Sequence, residues 1–344
     1  MRVLVVRRDN IGDLVCSTPL FTALRRKFPQ AWIGALVNSY NAPVLERNPD
    51  LDQIVAYTKL KHLDPGQSAF SALRARLASL WNLRRMQLDY VVLATSDFVP
   101  RMARLARWLG PKQVIGFSDG SSRARVLDLS VPIAEVAGRH EVERVFALAK
   151  LFDIGGAIPP LTVVPDPAER AAAQSAFRNA SPRIAVHISA RRPAQRWPAE
   201  RFAALIDRIQ ARHNVILLWS PGSADHARHP GDDEKARDIL GMVAHRARLI
   251  AHPTERLQGL IGALAACDAV ICSDGGASHL AAALGKPMVC FFGDSPAERW
   301  RPWGVPLRLI QPPSRKVADI AVDEAFAAYG SLSAETGVFR HPAP

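Results

Sequence analysis

The sequence has few cysteines and no long apolar run, and each absence excludes a class of protein. Only 4 of the 344 residues are cysteine, no two are spaced Cys-x-x-Cys, and all lie within or beside apolar segments, so neither a disulfide nor a zinc framework is expected. No apolar segment approaches the ~20 residues of a membrane-spanning helix, and the chain begins with a strand pattern instead of a signal peptide. The sequence therefore predicts a protein of a reducing, cytoplasmic compartment.

Motifs of two nucleotide-dependent classes are also missing. No Gly-x-x-x-x-Gly-Lys-Ser/Thr segment precedes a predicted helix, which argues against a P-loop. No Gly-x-Gly-x-x-Gly follows the first predicted strand, which argues against a nicotinamide-dependent dehydrogenase.

Acidic residues are outnumbered by basic ones. The chain has 44 Lys and Arg against 32 Asp and Glu, a net charge of +12, and its pI is about 10.1. This excess favours an anionic partner such as a phosphorylated lipid or an acidic membrane surface. Nucleic acid is not expected, because no recognisable binding module is present. The alternative is that arginine-rich helices such as LRARLASLWNLRRM only carry solvated faces.

Strand-like and helix-like segments alternate along most of the chain, which predicts doubly wound parallel α/β sheets. The alternation occurs twice, in residues 1–160 and 183–330, and the chain length suits two domains. Residues 161–182 are predicted as a linker, because Gly and Pro are frequent around them, and residues 331–344 as a poorly ordered tail. Two such Rossmann-like units are expected to bind ligands at the carboxyl ends of their strands, facing an interdomain cleft.

The first segment of interest, RRDNIGDLVCSTP, joins the first strand to a helix. We expect Gly12 to provide the conformational freedom for a tight turn there. Ser17 or Thr18 would then cap the next helix, with Pro19 in its first turn. Asp13 is either an ordinary loop or cap residue or a general base at the carboxyl edge of the sheet.

The second segment, HISARRPAQRWPAERF, leads from a strand into a helix that Pro198 opens. Arg191, Arg192 and Arg196 beside that helix start could hold a diphosphate, because guanidinium groups and free helix amides both favour anions. The alternative is a solvated basic loop. We expect Trp197 to pack against the helix start instead of stacking on a base.

The third segment, LLWSPGSADHARHPGDDEKA, is a strand end followed by a turn and several acids. It could present Asp225, or Asp232 or Asp233, to ribose hydroxyls, or it could be a surface excursion.

The fourth segment, VICSDGGASHLAAALGKPMVCFFGD, is the most specific. A buried strand runs into Asp274, Gly275 and Gly276, and a helix follows with Ser278 and His279 in its first turn. Two glycines allow close approach of a ligand to the backbone, and a helix start offers amide donors to a phosphate. His279 could donate to the same anion, or it could be structural.

With these segments quoted, the chain resembles the heptosyltransferases of glycosyltransferase family nine from residue 1 to about 325. IGDLVCSTPLFTALRRKFP is similar to the family's Gly-Asp segment, QRWPAERFAAL to its Lys-Arg-Trp-Pro segment, and SDGGASHLAAALGKPMVCFFG to its Asp-Thr-Gly-Pro-x-His segment. The resemblance implies a GT-B fold, with acceptor bound by the N-terminal domain and nucleotide sugar by the C-terminal one. It implies an inverting transfer of heptose from an ADP-heptose-type donor to a lipid-linked oligosaccharide of the lipopolysaccharide inner core, with no metal and no cofactor.

The same resemblance assigns the site residues. Asp13 would take the proton of the acceptor hydroxyl. The implied donor-binding residues are Ser189, Arg192, Gln195, Arg196, Asp274, Gly275, Gly276, Ser278 and His279. Asp225 and Asp232 are the ribose candidates, and Arg101, Arg104 and Arg123 are candidates for an acceptor pocket. A monomer at the cytoplasmic face of the inner membrane, held peripherally by anionic lipid, is the implied state.

Two positions depart from the family pattern. Gln195 stands where the family shows a lysine expected to contact the donor phosphates, and Gly275 stands where it shows a threonine. Arg191, Arg192 or Arg196 could compensate for the missing lysine. We hypothesise a somewhat different donor or a lower affinity for ADP. The alternatives are a transferase for another nucleotide sugar or acceptor, an epimerase on the same paired domains, or a nucleotide-sugar-binding protein without catalysis.

Overall fold

The structure is a computed structural model that describes residues 1–57, 69–177, 182–225 and 231–337. The chain divides into two units, Met1–Val164 and Pro165–Pro344. Each unit is built around a six-stranded sheet in which all neighbouring strands pair in parallel. The predicted α/β fold class is confirmed.

The first unit has the strand order β3-β2-β1-β4-β5-β6. Its strands are β1 (Arg2–Arg7), β2 (Trp32–Asn38), β3 (Gln53–Tyr57), β4 (Tyr90–Leu93), β5 (Gln113–Ser118) and β6 (Leu129–Pro132). Its α-helices are α1 (Ile11–Val15), α2 (Thr18–Lys27), α3 (Ala69–Arg85), α4 (Pro100–Trp108) and α5 (Glu141–Phe146). Short 3₁₀ helices cover Ala42–Val44, Ser122–Val126, Ile133–Val136 and Ala147–Phe152.

The second unit repeats this topology with the order β12-β11-β10-β7-β8-β9. Its strands are β7 (Arg183–His187), β8 (Asn214–Trp219), β9 (Leu249–Pro253), β10 (Ala269–Ser273), β11 (Met288–Phe291) and β12 (Leu307–Ile310). Its α-helices are α6 (Pro167–Ala176), α7 (Ala199–Gln210), α8 (Asp233–Met242), α9 (Leu257–Ala265), α10 (Gly276–Ala283), α11 (Ala297–Trp300) and α12 (Val322–Thr336). Pro193–Gln195 and Val317–Asp319 are 3₁₀ turns.

The central strands explain why each sheet is parallel and covered on both faces. Val3, Leu4, Val5 and Val6 of β1 are all buried, and so is every residue of β10. Such continuous apolar runs fit strands with helices on both sides, whereas a half-exposed strand would alternate.

The strand orders also fix where ligands can bind. Each sheet reverses its direction of winding between two central strands, β1 and β4 in the first unit and β7 and β10 in the second. The loops after those strands diverge to opposite faces and leave a crevice at their carboxyl ends. Asp13 follows β1, and Asp274 follows β10, so both predicted segments lie at these switch points.

The boundary segments differ from expectation. Residues 161–182, predicted as a linker, contain α6, because Asp166 caps a helix by accepting a 2.8 Å hydrogen bond from the Ala168 amide. This helix packs on α9 so closely that a Cβ at Gly262 would lie 2.8 Å from the backbone of Glu169. The predicted tail begins within α12, which continues to Thr336. Residues 178–181 and 338–344 lie outside the described residues.

None of the helices in the described ranges combines the length and apolar character that crossing a bilayer requires.

Candidate functional site

The switch point of the first unit is organised around a buried arginine. Arg7 ends β1 with a side chain only 1% exposed. Its Nη2 donates to Asp13 Oδ1 at 2.7 Å and to Glu141 Oε1 at 2.8 Å, and its Nε lies 3.0 Å from Asp9 Oδ2. Its Nη1 donates to the Ala94 carbonyl at the end of β4. One guanidinium therefore joins three carboxylates to both central strands.

Asp13 is held by a short helix and not by a glycine turn. The prediction of unusual backbone angles at Gly12 was wrong, because Gly12 lies inside α1, whose N-cap is Asn10. The backbone amide and the side-chain amide of Asn10 each donate to Asp13 Oδ2 at 3.1 Å. Ser17 occupies the N-cap position of α2 with a proline in the first turn, as predicted, but its hydroxyl donates to the Asp13 carbonyl at 2.9 Å and makes no capping bond to the helix. The Asp13 carboxylate is thereby fixed from two sides and stays 15% exposed.

Glu141 is the partner that the sequence did not reveal. It begins α5, is fully buried, and accepts hydrogen bonds from Ser96 Oγ at 3.0 and 3.1 Å. Arg144 Nη2 donates to the Ser96 carbonyl at 3.0 Å, which places a second cation beside the pair. A signal was present in Arg7, because an arginine that ends an apolar strand must be paired when buried. Its partner is 134 residues away in sequence.

The two aspartates near Arg7 differ in pKa. Burial raises the pKa of Asp13, but the Arg7 guanidinium and the hydrogen bonds from Arg7 and Asn10 outweigh it, so the net shift is downward. Burial also raises the pKa of Asp9, and there the weaker effect of Arg7 leaves a net upward shift. Of these two aspartates, Asp13 is accordingly the one that stays ionised to lower pH.

In the second unit, a polar cluster joins the loop after β7 to the end of β10. Gln195 is buried, and its Nε2 donates to Asp274 Oδ2 at 2.6 Å and to Ser295 Oγ at 2.9 Å. Arg192 Nη1 donates to the same Ser295 hydroxyl at 3.1 Å, and Arg192 also pairs with Asp294. The structure thus brings together three of the predicted donor residues.

The position of Asp274 in this cluster shifts its pKa upward. Burial raises its pKa, and the Ser295 hydroxyl and the charges of His279 and Arg192 offset only part of the effect. Gly293 allows the cluster to form, because a Cβ there would overlap with the Ala194 carbonyl of the 3₁₀ turn Pro193–Gln195.

The glycine-rich corner opens onto free space. A Cβ on Gly275 would meet no described atom within 4 Å, and α10 begins at Gly276. The first amides of a helix lack intrahelical partners, so they can donate to an anion at this corner. Ser278 is fully buried, and its hydroxyl donates to the Gly275 carbonyl at 2.8 Å. His279 is also buried and packs edge-on against Trp300, with ring centroids 6.2 Å apart.

Ser189 and Arg196 each hydrogen-bond a backbone group near the carboxyl ends of β7 and β8. Ser189 Oγ accepts from the Ser220 amide at 2.9 Å, and Arg196 Nε donates to the Ala190 carbonyl at 3.1 Å. Trp197 packs on Phe202 with ring centroids 4.9 Å apart, so the predicted contact with the helix start is confirmed. This is the usual staple between the residue before the cap and the fourth helical residue, and it fixes the exit of the loop.

The ribose candidates lie around the start of α8. Asp232 is its N-cap, and its amide donates to the Ser220 carbonyl at 2.9 Å. Asp233 accepts from Trp219 Nε1 at 2.7 Å and from the Gly222 amide at 2.8 Å, so it holds the loop together. Asp225 is exposed, and residues 226–230 of the same segment lie outside the described residues.

Lys235 is a further residue that sequence reasoning missed. Its Nζ donates to the Ile188 carbonyl, directly after β7, at 3.0 Å and lies 4.8 Å from the centre of the Phe202 ring. Within the described ranges, no carboxylate oxygen lies within 4.0 Å of this ammonium group. Burial lowers the pKa of Lys235 to about 8, opposed by Asp232 and assisted by Arg196. The signal was a lysine in the first turn of a helix, where the helix dipole disfavours a cation.

The predicted acceptor residues belong to the first unit. Arg101 and Arg104 lie on α4 and Arg123 on the 3₁₀ helix Ser122–Val126, and all three side chains are exposed. Their assignment to an acceptor pocket stays a prediction.

Known proteins resemble the chain over most of its length. The model of glycosyltransferase family 9 (heptosyltransferase) matches residues 76–321. The lipopolysaccharide heptosyltransferase 2 of Salmonella typhimurium is 27% identical over 337 residues, covering 90% of this chain and 88% of that protein.

Solved structures share the fold. The Escherichia coli ADP-heptose lipopolysaccharide heptosyltransferase II superposes with a TM-score of 0.78 at 23% identity, covering 98% of this chain and 100% of that one. The E. coli heptosyltransferase WaaC, solved with ADP, gives a TM-score of 0.76 at 19% identity, with 96% and 100% covered. The predicted GT-B fold of two Rossmann-like units is confirmed by these matches.

Proposed function

Because the chain belongs to glycosyltransferase family 9, the heptosyltransferases, and is therefore a glycosyltransferase, we propose that it moves heptose from an ADP-heptose-type donor to a lipid-linked oligosaccharide of the lipopolysaccharide inner core. The names of its relatives support this donor and acceptor, since they include lipopolysaccharide heptosyltransferases and an ADP-heptose enzyme. The protein acts as a monomer at the cytoplasmic face of the inner membrane, with anionic lipid as a peripheral partner.

The reaction is a single inverting displacement that uses no metal ion. The acceptor hydroxyl attacks the anomeric carbon of the donor, the bond from that carbon to the diphosphate oxygen breaks, and ADP leaves with the electron pair. Asp13 takes the hydroxyl proton. The observation that supports this role is the position of the Asp13 carboxylate. Arg7 and Asn10 hold it at the switch point of the first unit, and it is still partly exposed.

The second unit holds the donor and stabilises the leaving ADP. The amides at the start of α10 and the guanidinium of Arg192 face the charge that develops on the diphosphate. Asp274 and Gln195 position Arg192 through their shared partner Ser295. Ser278 shapes the Gly275 corner from beneath, and His279 supports it through its packing on Trp300.

Lys235 supplies the cation that position 195 lacks. Its ammonium group lies at the beginning of the loop, after β7, that contains Gln195, and burial lowers its pKa there. Arg192 is already paired with Asp294, and Arg196 is exposed and bonded to Ala190. Lys235 is therefore better placed than either arginine to give an unshared charge to a donor phosphate.

A Lys235→Met protein should bind ADP about 10- to 150-fold more weakly near neutral pH, because a charge-assisted hydrogen bond contributes about 1.5–3 kcal/mol. Since the pKa of Lys235 is lowered to about 8, the original protein should lose the same affinity as the pH rises above that value. Calorimetric titration of ADP on both sides of this pH checks both effects.

Lys235→Arg is the matched control, because arginine stays charged throughout this pH range. Its ADP affinity should not fall between the two pH values. Equal ADP affinity of Lys235→Met and the original protein at both pH values would remove Lys235 from the donor site.

The proposed function is tested by incubating the protein with ADP-heptose labelled in the sugar and a lipid-linked inner-core acceptor. The label should move to the acceptor with release of ADP, the new linkage should have the inverted anomeric configuration by NMR, and a chelator should leave the rate unchanged. Transfer only from another nucleotide sugar would establish a different donor. Donor binding without transfer or isomerisation would favour the non-catalytic alternative.

A further inference from the structure

Helices α3 and α4 present one exposed apolar surface on the first unit. Phe70 is 75% exposed, Leu77 and Trp81 are each 54% exposed, and Leu73 lies between them on the same stripe of α3. Trp108 of α4 is 42% exposed, and its ring lies 6.5 Å from that of Trp81. We call these five residues the α3–α4 face.

The apolar residues of this face do not belong to the core of the first unit. Leu80 and Leu83, on the other side of α3, are buried in the core of the first unit and anchor the helix. The exposed side chains line a groove of about 480 Å³. Monomeric proteins rarely expose so many large apolar residues together unless the patch contacts a partner or a membrane.

The charges around the face show what kind of partner fits. Helix α3 carries four arginines and α4 three, and neither helix contains an aspartate or glutamate. Arg74, Arg84 and Arg85 are exposed on α3. The guanidinium of Arg84 lies over the Trp108 ring, 5.3 Å from its centre. Exposed aromatic and aliphatic side chains bordered by arginine suit a partner whose surface is negatively charged and whose interior is apolar.

We propose that the α3–α4 face docks on an anionic phospholipid bilayer, with its aromatic side chains among the headgroups and acyl-chain ends and the flanking arginines on lipid phosphates. A second copy of the chain fits less well, because a twofold interface would bring two arginine-rich, acid-free faces together. The inference rests on the proposed function for its biological setting, since a lipid-linked acceptor lies in such a surface, but the face is argued from its own geometry and charge.

Vesicle co-sedimentation of the full chain tests the proposal. The protein should sediment with vesicles that contain phosphatidylglycerol, bind far less to pure phosphatidylcholine, and dissociate as salt is raised. Phe70→Ser/Trp81→Ser should weaken binding to the anionic vesicles at least tenfold. Arg74→Glu/Arg85→Glu should weaken it more than about twentyfold, since each lost basic contact is about fivefold and each reversal adds repulsion.

Matched controls carry the same chemical changes elsewhere. Met242→Ser removes another exposed apolar side chain, and Arg26→Glu/Arg212→Glu changes the net charge equally at exposed positions off the face. Both controls should bind anionic vesicles within about threefold of the original protein. Equal loss in the controls would mean that total charge and not this face drives binding. Absence of vesicle binding, or a dimer in sedimentation equilibrium that Phe70→Ser/Trp81→Ser dissociates, would overturn the proposal.

Activity separates this inference from the proposed function. Phe70→Ser/Trp81→Ser should transfer sugar normally to a de-acylated, water-soluble acceptor and lose rate only on the lipid-linked acceptor in vesicles. Unchanged rates on both acceptors would argue against the docking surface while leaving the transferase intact. Face-dependent vesicle binding without transfer to either acceptor would argue against the function while leaving the surface intact.

Discussion

Asp13→Asn should lower kcat by about 10³-fold and leave the Kd of ADP within about twofold of its original value. General base catalysis contributes about 10²- to 10⁴-fold, and an amide cannot accept the acceptor proton. The residues proposed to bind ADP belong to the second unit, whereas Asp13 belongs to the first. Asparagine keeps the size of the side chain and can still accept from Arg7. Steady-state transfer assays and calorimetric titration of ADP on the same preparation measure both quantities.

Asp9→Asn is the informative companion variant. Asp9 shares Arg7 with Asp13, is 33% exposed, and has a raised pKa, which by itself would make it the stronger base. Asp13 nevertheless has both of its oxygens oriented, Oδ1 by Arg7 and Oδ2 by Asn10. We expect Asp9→Asn to lose less than about tenfold in kcat. A larger loss in Asp9→Asn than in Asp13→Asn would transfer the role of base to Asp9.

The pH dependence distinguishes the two carboxylates independently. A base must be deprotonated, so the rate falls as the pH drops through its pKa. The pKa of Asp13 is below its ordinary value, so the acid limb of kcat/KM should lie below about pH 4 and the profile should stay flat down to that point. A raised pKa such as that of Asp9 would move this limb toward neutral pH. The acid limb therefore reports which carboxylate titrates.

The local part of this site was predictable from sequence. Asp13 and Asp274 each follow an apolar run that must be a buried strand, and parallel strands place their ends at one edge of a sheet. The staple between Trp197 and Phe202 is also local, since its partners are five residues apart. Helix α6 was missed although its start has a capping aspartate followed by proline, because the Gly and Pro content of the preceding segment outweighed that signal.

The long-range part was not predictable. Nothing local links Arg7 to Glu141, because their contact depends on how α5 returns to the carboxyl end of β1. Lys235 likewise reaches Ile188 across 47 residues through the packing of α8. The prediction for Gly12 was wrong because a glycine after a strand fits a turn as well as a helix start. The hydrogen bond between Asn10 and the Asp13 side chain favours the helix start, and the sequence does not show it.

Arg7→Met should lower the free energy of unfolding of the first unit by about 3–5 kcal/mol. Methionine has a similar length, but it leaves the fully buried Glu141 beside Asp13 and Asp9 without the cation that joins them. Removing one partner of a buried ion pair costs about this much, because the buried Glu141 charge then keeps only Arg144, 4.0 Å away, as a partner. Hydrogen exchange of the β1 and β4 amides in urea measures the change within the unit.

Arg107→Met provides the comparison at an exposed ion pair. Arg107 contacts Asp128 at 3.0 Å with 42% and 32% of the two side chains exposed, and such pairs contribute about 0–1 kcal/mol. If Arg7→Met costs no more than Arg107→Met, Arg7 does not organise the site, and its role in fixing Asp13 is wrong.

A double variant shows whether the cost comes from the charge of Glu141. Arg7→Met/Glu141→Gln removes the unpaired charge and keeps an acceptor for the Ser96 hydroxyl, so part of the lost stability should return. We expect an interaction energy of about 1–3 kcal/mol between the two positions. Recovery of stability without recovery of transfer is the expected combination, because Asp13 would still lack the guanidinium that orients its Oδ1. If the stability effects of the two substitutions are additive, Arg7 stabilises β1 mainly through its hydrogen bond to the Ala94 carbonyl. The stability of this part of the fold would then not depend on the charge network that positions the base.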